Sequence, residues 1–381
     1  MRLLHTSDWH IGRTFHGHDL LADQRVVLGA LADLAAEHRV DAVLVAGDLY
    51  DRAVPSADAM RVANQAVTRL RATGAQIVAI AGNHDSAPRL GMFTDFLTQG
   101  GLHLRTDPAR LAEPVLLADG DGPVAMYAIP YLEPEVVRDV LGLDGPASHQ
   151  RAMQAALRLV HEDLGSRPAG TRSVVLAHAF VVGGLVSGSE RSIAVGGVES
   201  VSADIFDGID YVALGHLHGR QRLSETMRYS GSPLPYSFTE SGHRKGAWLV
   251  DLAGDGVTSV EWLDLPVVRP LATVRGTLAE ILSGNDDLLE HYLAVQLTDQ
   301  ERPIEAMRRL RERFPFALTV AWEPAGAAAG PVSFPTVSSA VNEMDIIEAF
   351  LADCRGTGAS AEERAVIAAA VSSLRAAEVT A

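Results

Sequence analysis

The sequence predicts an α/β layered domain, followed by a small mixed unit and a helical tail. From residue 2 to about 265, short apolar runs alternate with amphipathic stretches, as strands buried beneath helices do. Each of the early runs also ends in a cluster of polar, chemistry-bearing residues.

Residues 2–6, 41–46, 76–81, 173–177 and 210–214 read as buried strands, with helix-like segments at 20–38 and 56–73 between the first three. Residues 115–129 and 246–265 alternate around Gly-Asp-Gly turns at 120–122 and 254–256, which predicts two hairpins. Residues 267–270 read as a linker, 271–324 as strand, helix, strand, helix, strand, and 325–335 as a looser linker. Two helices follow. Val341, Met344, Ile347, Leu351 and Cys354 line one side of the first. Ser360 and Glu363 have capping-box spacing at the start of the second, whose apolar side includes Ile367, Val371 and Leu374. The expected domains are 1–266, 271–324 and 336–381.

A chain of 381 residues, 47% hydrophobic, can bury a substantial core. It has no apolar run of about 18 residues, and Met1 to His5 open directly into a strand without signal-peptide character. A cytoplasmic protein is expected. Its single cysteine, Cys354, excludes an intrachain disulfide and a thiolate zinc site. A formal charge of −16 argues against binding nucleic acid by bulk electrostatics alone. Divalent metals or a basic partner would have to offset it.

The first strand delivers Ser7-Asp8-Trp9-His10, the second Gly47-Asp48-Leu49-Tyr50-Asp51, and the third Gly82-Asn83-His84-Asp85. Later runs end in His178 and in His216-Leu217-His218. Loops after the carboxyl ends of strands are where α/β sheets place their sites. Side chains two apart on an extended chain point the same way, so His216 and His218 can face one point. Each residue alone has an ordinary explanation as a turn, cap or core residue. All of them in this order point to a metal centre. Two divalent cations about 3.5–4 Å apart can hold and polarise a phosphate, and a carboxylate must bridge them. Asp48 is the candidate bridge, with Asp8, His10 and His218 completing one site and Asn83, His178 and His216 the other. Oxygen and imidazole ligands without thiolate fit Mn²⁺, Fe²⁺ or Zn²⁺ better than Mg²⁺.

Asp8-x-His10, Gly47-Asp48-x-x-Asp51, Gly82-Asn83-His84-Asp85, His178 and Gly215-His216-x-His218 resemble the five-motif signature of the calcineurin-like metallophosphoesterases. The surrounding words, LLHTSDWHIG, VAGDLYD, AGNHDS, ALGHLH and YSGSPLPYSF, are similar to the SbcD-like nuclease branch of that superfamily. The resemblance implies a β-sandwich flanked by helices, with a small α+β capping domain that contacts DNA and a C-terminal helical segment that binds a partner. It also implies a two-manganese deoxyribonuclease that acts on DNA ends as a double-strand exonuclease and hairpin endonuclease, in repair and recombination. Its partners are an SbcC-like ATPase with a long coiled coil and a second copy of itself. A cytoplasmic, nucleoid-associated location follows from that role. The metal assignments above agree with the family's, and His84 takes the role of the non-ligand catalytic histidine at the leaving oxygen. A histidine beside a metal-binding asparagine also titrates in a range suited to proton transfer. Asp51 and Asp85 could each orient a ligand histidine.

Residues 180–197 form a long, flexible-looking loop after His178, in which Arg191 is a candidate phosphate contact. Arg308, Arg309, Arg311 and Arg313 lie on a predicted helix, either as a solvated, ion-paired face or as a DNA contact. For the dimer, helices 20–38 and 56–73 and the segment after Asp85 are candidates. Two rival functions share the motifs: a phosphoesterase for small esters or cyclic nucleotides, and a scaffold using its metals only for structure.

Overall fold

The computed structural model describes residues 1–190, 200–324, 343–355 and 357–379. It divides into two compact units, Met1–Ala272 and Thr273–Ala381. In chain order the first unit begins with β1 (Arg2–Thr6), α1 (Leu21–Glu37), β2 (Ala42–Val45), α2 (Ala57–Ala72), β3 (Gln76–Ile80) and β4 (Leu102–Arg105). There follow β5 (Val115–Asp119), β6 (Gly122–Ile129), α3 (His149–Ser166), β7 (Arg172–His178), β8 (Tyr211–Gly215) and β9 (Gln221–Arg222). The unit closes with β10 (Met227–Tyr229), β11 (Gly246–Ala253) and β12 (Gly256–Asp264).

These strands form two six-stranded sheets, in the orders β12-β11-β1-β2-β3-β4 and β9-β10-β8-β7-β6-β5. Leu3, Leu44, Val78 and Ile80 from the first sheet pack on Met126, Val174, Leu176 and Ala213 from the second. The opposite face of the second sheet, with Tyr127, Val175 and Leu214, buries Ala152, Leu157 and Val160 of α3. The run Val174 to Ala177 is apolar throughout because both of its faces are covered. Both expected hairpins are present. Asp119 pairs with Gly122 and Ala253 with Gly256, and both glycines take the positive φ that such tight turns demand.

Register makes the site. β1, β2 and β3 run parallel, with Thr6 opposite Val45 and Val45 opposite Ala79. In the second sheet β7 and β8 are parallel, with His178 opposite Gly215. The carboxyl ends of five strands therefore stop level, and their loops can converge. Helix α3 is the long element missing from the sequence expectation. Ser148 caps it by accepting from the Arg151 amide at 3.3 Å.

The second unit contains β13 (Leu271–Gly276), α4 (Leu278–Ser283), β14 (Tyr292–Leu297), α5 (Ala306–Arg313) and β15 (Ala317–Trp322). This is the strand and helix order expected for residues 271–324. Three of the four arginines of α5 turn to their own unit. Arg308 pairs with Glu305 and Glu312, Arg313 with Asp286, and Arg311 donates to the Ala317 carbonyl at 3.1 Å. Helices α6 (Glu343–Arg355) and α7 (Ala361–Val379) end the chain. The capping box at Ser360 and Glu363 is reciprocal, at 2.7 and 3.2 Å, and Arg364 of α7 pairs with Glu348 of α6 at 2.9 Å. The expected stripes, Met344, Ile347 and Leu351 on α6 and Ile367 and Val371 on α7, are half-buried. Val341 and the side chains of Cys354 and Leu374 lie outside the described residues. No described helix is long and apolar enough to cross a membrane.

Candidate metal centre

All the side chains singled out for metal binding converge at the level strand ends. Three overlapping groups bring possible ligand atoms within 4.8 Å of one another: Asp8, His10 and His218; His10, Asp48 and His84; and Asp8, Asp48 and His178. The backbone is bent to achieve this. Asp8, His10, Asp48 and His216 have φ of +53°, +44°, +52° and +105°, a region that side chains other than glycine enter only under outside constraint. Neighbouring glycines clear the space. A Cβ on Gly47 would lie 2.3 Å from His178 Nδ1, and one on Gly82 would lie 2.2 Å from Asp48 Oδ1.

Asp48 is central. Its Oδ1 accepts from the His84 amide at 2.8 Å, while its Oδ2 lies 3.5 Å from both His10 Nε2 and His178 Nε2. The proton positions on these rings follow from their other contacts. His178 Nδ1 faces the Ala46 carbonyl at 2.9 Å, an acceptor only, so Nδ1 carries the hydrogen and Nε2 a lone pair. That lone pair faces Asp48 Oδ2 and, at 2.9 Å, Asn83 Oδ1. Acceptors gathered without a donor repel one another, and a cation among them reverses the sign. His10 Nε2 and His218 Nε2 likewise approach to 3.1 Å. The rings of His178 and His216 meet edge-on at 5.4 Å between centroids. The donor set therefore fits divalent metal.

The electrostatics agree. Burial, and then the charge of Asp48, pushes the Asp8 carboxyl well above its ordinary range. Burial, and then neighbouring imidazoles, holds His10 well below its own. His216 is lowered to about 3, chiefly by burial. Burial thus disfavours the charged forms of these three groups, and neutral imidazole is the form that binds metal.

Residues 1–220 match the family model described as calcineurin-like phosphoesterase. The chain belongs to that family. A second model, SbcD_C, described as the type 5 capsule protein repressor C-terminal domain, matches residues 267–353. The two matches in this order mark a calcineurin-like phosphoesterase of the SbcD type. Among solved structures, the chain is similar to a dimetal phosphatase from Danio rerio, at 12% identity and a TM-score of 0.38, covering 70% of this chain and 99% of that one. It is also similar to Fpglu1 from Fervidobacterium pennivoraus, at 10% identity and a TM-score of 0.21, covering 83% of this chain and 80% of that one. The β-glucosidase BglU from Micrococcus antarcticus follows at 12% identity and a TM-score of 0.19, covering 84% and 83%. At these scores neither fold nor activity follows from the likeness.

Around the phosphoesterase centre the two remaining acids divide. Asp51 Oδ1 lies 3.7 Å from His10 Nδ1, where it can orient that ring. Among the described residues Asp85 makes no hydrogen bond or ion pair with a histidine. Its carboxylate accepts from the amides of Leu49, Tyr50 and Gly82 at 3.0–3.1 Å, tying the second loop to the third. Burial and the charge of Asp48 raise it to about 7 against those three donors. His84 Nδ1 faces the Asp51 carbonyl at 2.8 Å, which leaves Nε2 for exchange.

Sequence reasoning missed a second layer behind His218. Glu240 and Lys245 form a buried ion pair at 2.5 Å, and Ser189 Oγ lies 2.5 Å from both Glu240 Oε1 and His218 Nδ1. Arg13 donates to the Ser189 carbonyl at 2.9 Å, lies 3.5 Å from Asp51 and sits 4.8 Å above the Tyr236 ring. Ser189 and Glu190 stood in the loop read as flexible, yet Glu190 accepts from the amides of Ser187, Gly188, Ser189 and His218. Arg191 lies outside the described residues. No local pattern links Glu240 to His218, because the connection exists only in three dimensions.

Proposed function

We propose that the chain is the two-metal nuclease subunit of an SbcCD-type complex, cutting DNA ends and hairpins with Mn²⁺ and an SbcC-like ATPase. The observation that carries this reading is the position of Asp48 Oδ2, equidistant from His10 and His178. Asp48 would then be shared between the two cations, while its Oδ1 also accepts from the His84 amide. Asp8, His10 and His218 would hold one cation, and Asn83, His178 and His216 the other. Bound divalent cations supply Lewis acidity toward the phosphate and lower the pKa of water.

The protein's own groups do the rest. The Ala46 carbonyl fixes the ring of His178 so that it presents Nε2, and the Asp51 carboxylate lies 3.7 Å from Nδ1 of His10. His84 holds its Nδ1 hydrogen on the Asp51 carbonyl and, when protonated at Nε2, delivers that proton to the oxygen leaving phosphorus. The SbcD_C match over residues 267–353 supports the DNA and ATPase half of the reading.

The deciding assay combines the purified chain and Mn²⁺ with a linear duplex, a hairpin and a chromogenic phosphodiester, with EDTA controls and with the ATPase added or omitted. EDTA-sensitive cutting of duplex or hairpin is the expected result. Hydrolysis of the small ester alone, in both the presence and absence of the ATPase, would instead assign a small-molecule phosphoesterase.

A further inference from the structure

The loop after His178 has a described part, residues 182–190, whose contacts the metal chemistry does not require. Its Ser189 hydroxyl stands between a buried carboxylate and a metal-side histidine. Glu240, held by Lys245 Nζ at 2.5 Å, is an acceptor only. The single hydroxyl hydrogen of Ser189 therefore goes to Glu240 Oε1 at 2.5 Å. Toward His218 Nδ1, also at 2.5 Å, the same oxygen can only accept. His218 must then carry its hydrogen on Nδ1 and present the Nε2 lone pair toward His10.

We propose that Ser189 is a positioning residue that fixes the tautomer and ring orientation of His218, so that residues 187–190 act as a strap setting metal affinity on one side of the centre. The inference rests on the two-metal reading for its second clause only. Five further hydrogen bonds hold the strap in place. Glu190 gathers the amides of Ser187, Gly188 and Ser189 and also accepts from the His218 amide at 2.9 Å, so ring and backbone of His218 are gripped from one segment. Arg13 fastens the Ser189 carbonyl at 2.9 Å. Metal-ligating histidines owe orientation and basicity to the group on their other nitrogen, and its loss weakens binding by about 10- to 100-fold.

The test uses the full chain in three forms: wild type, Ser189→Ala and Ser189→Thr. Long-range proton–nitrogen NMR of histidine-labelled, metal-free protein should find His218 as the Nδ1–H tautomer in wild type and Ser189→Thr, and mixed in Ser189→Ala. Calorimetric titration with Mn²⁺ should find two sites in wild type, one of them weakened about 10- to 100-fold in Ser189→Ala and restored in Ser189→Thr. An Nε2–H tautomer in wild type, or unchanged tautomer and affinity in Ser189→Ala, would overturn the proposal. If wild type takes up no Mn²⁺, the two-metal reading fails, and the tautomer measurement still decides the role of Ser189.

Discussion

Asp48 Oδ2 and His178 Nε2 face each other at 3.5 Å with lone pairs on both atoms, because the only hydrogen of the neutral ring is committed to the Ala46 carbonyl. The contact is unfavourable until a cation enters, and the same Asp48 oxygen lies 3.5 Å from His10 Nε2. Asp48→Ala is therefore expected to empty both metal positions together, whereas His84→Ala, with its Nδ1 contact only to a carbonyl, keeps the metals. Loss of a general acid costs about 10²- to 10⁴-fold in turnover. Elemental analysis beside a phosphodiester assay checks both variants, and a fully active His84→Ala protein would remove His84 from catalysis.

Gly47 holds a φ of +94° with its missing Cβ pointed at His178. Gly47→Ala introduces a carbon at 2.3 Å from Nδ1 and forces an L side chain into the left-handed region. We expect destabilisation of more than about 1 kcal/mol and loss of the metal site that uses His178. Thermal unfolding and bound-metal content are the measurements. Wild-type values for both would show that the loop yields without cost.

Glu240 gives a pH prediction with a definite sign. Burial pushes its carboxyl up, but the hydrogen bond from the His218 side and the charge of Lys245 outweigh it and hold the group at about 2, below the 4.5 of a free side chain. Its contribution to stability is thus complete above pH 4.5 and disappears as the pH falls to about 2. A shift of this size corresponds to roughly 3 kcal/mol. The difference in denaturation midpoint between the metal-free wild type and Glu240→Gln should be widest near neutrality and close across that window. A difference independent of pH would mean that Glu240 is not ionised in the fold.

The dimer expected of an SbcD-type chain needs an apolar face. Of the three candidate segments, the one after Asp85 exposes Met92, Phe93 and Phe96, at 60, 65 and 74%, an unusual density of large apolar groups for a surface. The double variant Phe93→Glu, Phe96→Glu should sediment as a monomer at micromolar concentration while small-ester hydrolysis persists. An unchanged mass for a dimeric wild type would send the interface elsewhere.

Much of this centre was legible because each motif sits directly after its strand. Asp8, His10, Asp48, Asn83, His178, His216 and His218 needed only the rule that parallel strands end on one side. Helix α3 was overlooked since its buried alanines, Ala152, Ala155 and Ala156, give a weaker apolar signal than the leucine-rich strands. Asp85 was misjudged for another reason. A carboxylate that binds three amides and one that orients an imidazole have the same sequence appearance, and only the placement of Leu49, Tyr50 and Gly82 separates them. The Ser189, Glu240 and Lys245 layer joins residues far apart in the chain, where no spacing rule applies.

The helical tail yields the last prediction. Its expected apolar stripes are half-buried, and the Arg364–Glu348 ion pair at 2.9 Å links α6 to α7, so those stripes are partly consumed within the unit. A different set stays outside: Ile346 and Phe350, four apart on one face of α6, and Val366 on α7, exposed by 40, 64 and 70%. If the tail grips the base of the ATPase coiled coil, these three are the side chains with surface left to bury, and a central aromatic such as Phe350 is the kind of anchor on which interfaces depend. Phe350→Glu combined with Val366→Glu should weaken capture of the coiled-coil base by at least about tenfold, or about 1.4 kcal/mol. Deletion of residues 336–381 should abolish it, and both changes should leave metal content and small-ester hydrolysis at wild-type levels. A pull-down against the isolated coiled-coil base decides the matter. Capture by the truncated chain would place the ATPase on another surface, whereas loss with the deletion but not with the double variant would return the interface to the half-buried stripe of Met344, Ile347 and Leu351.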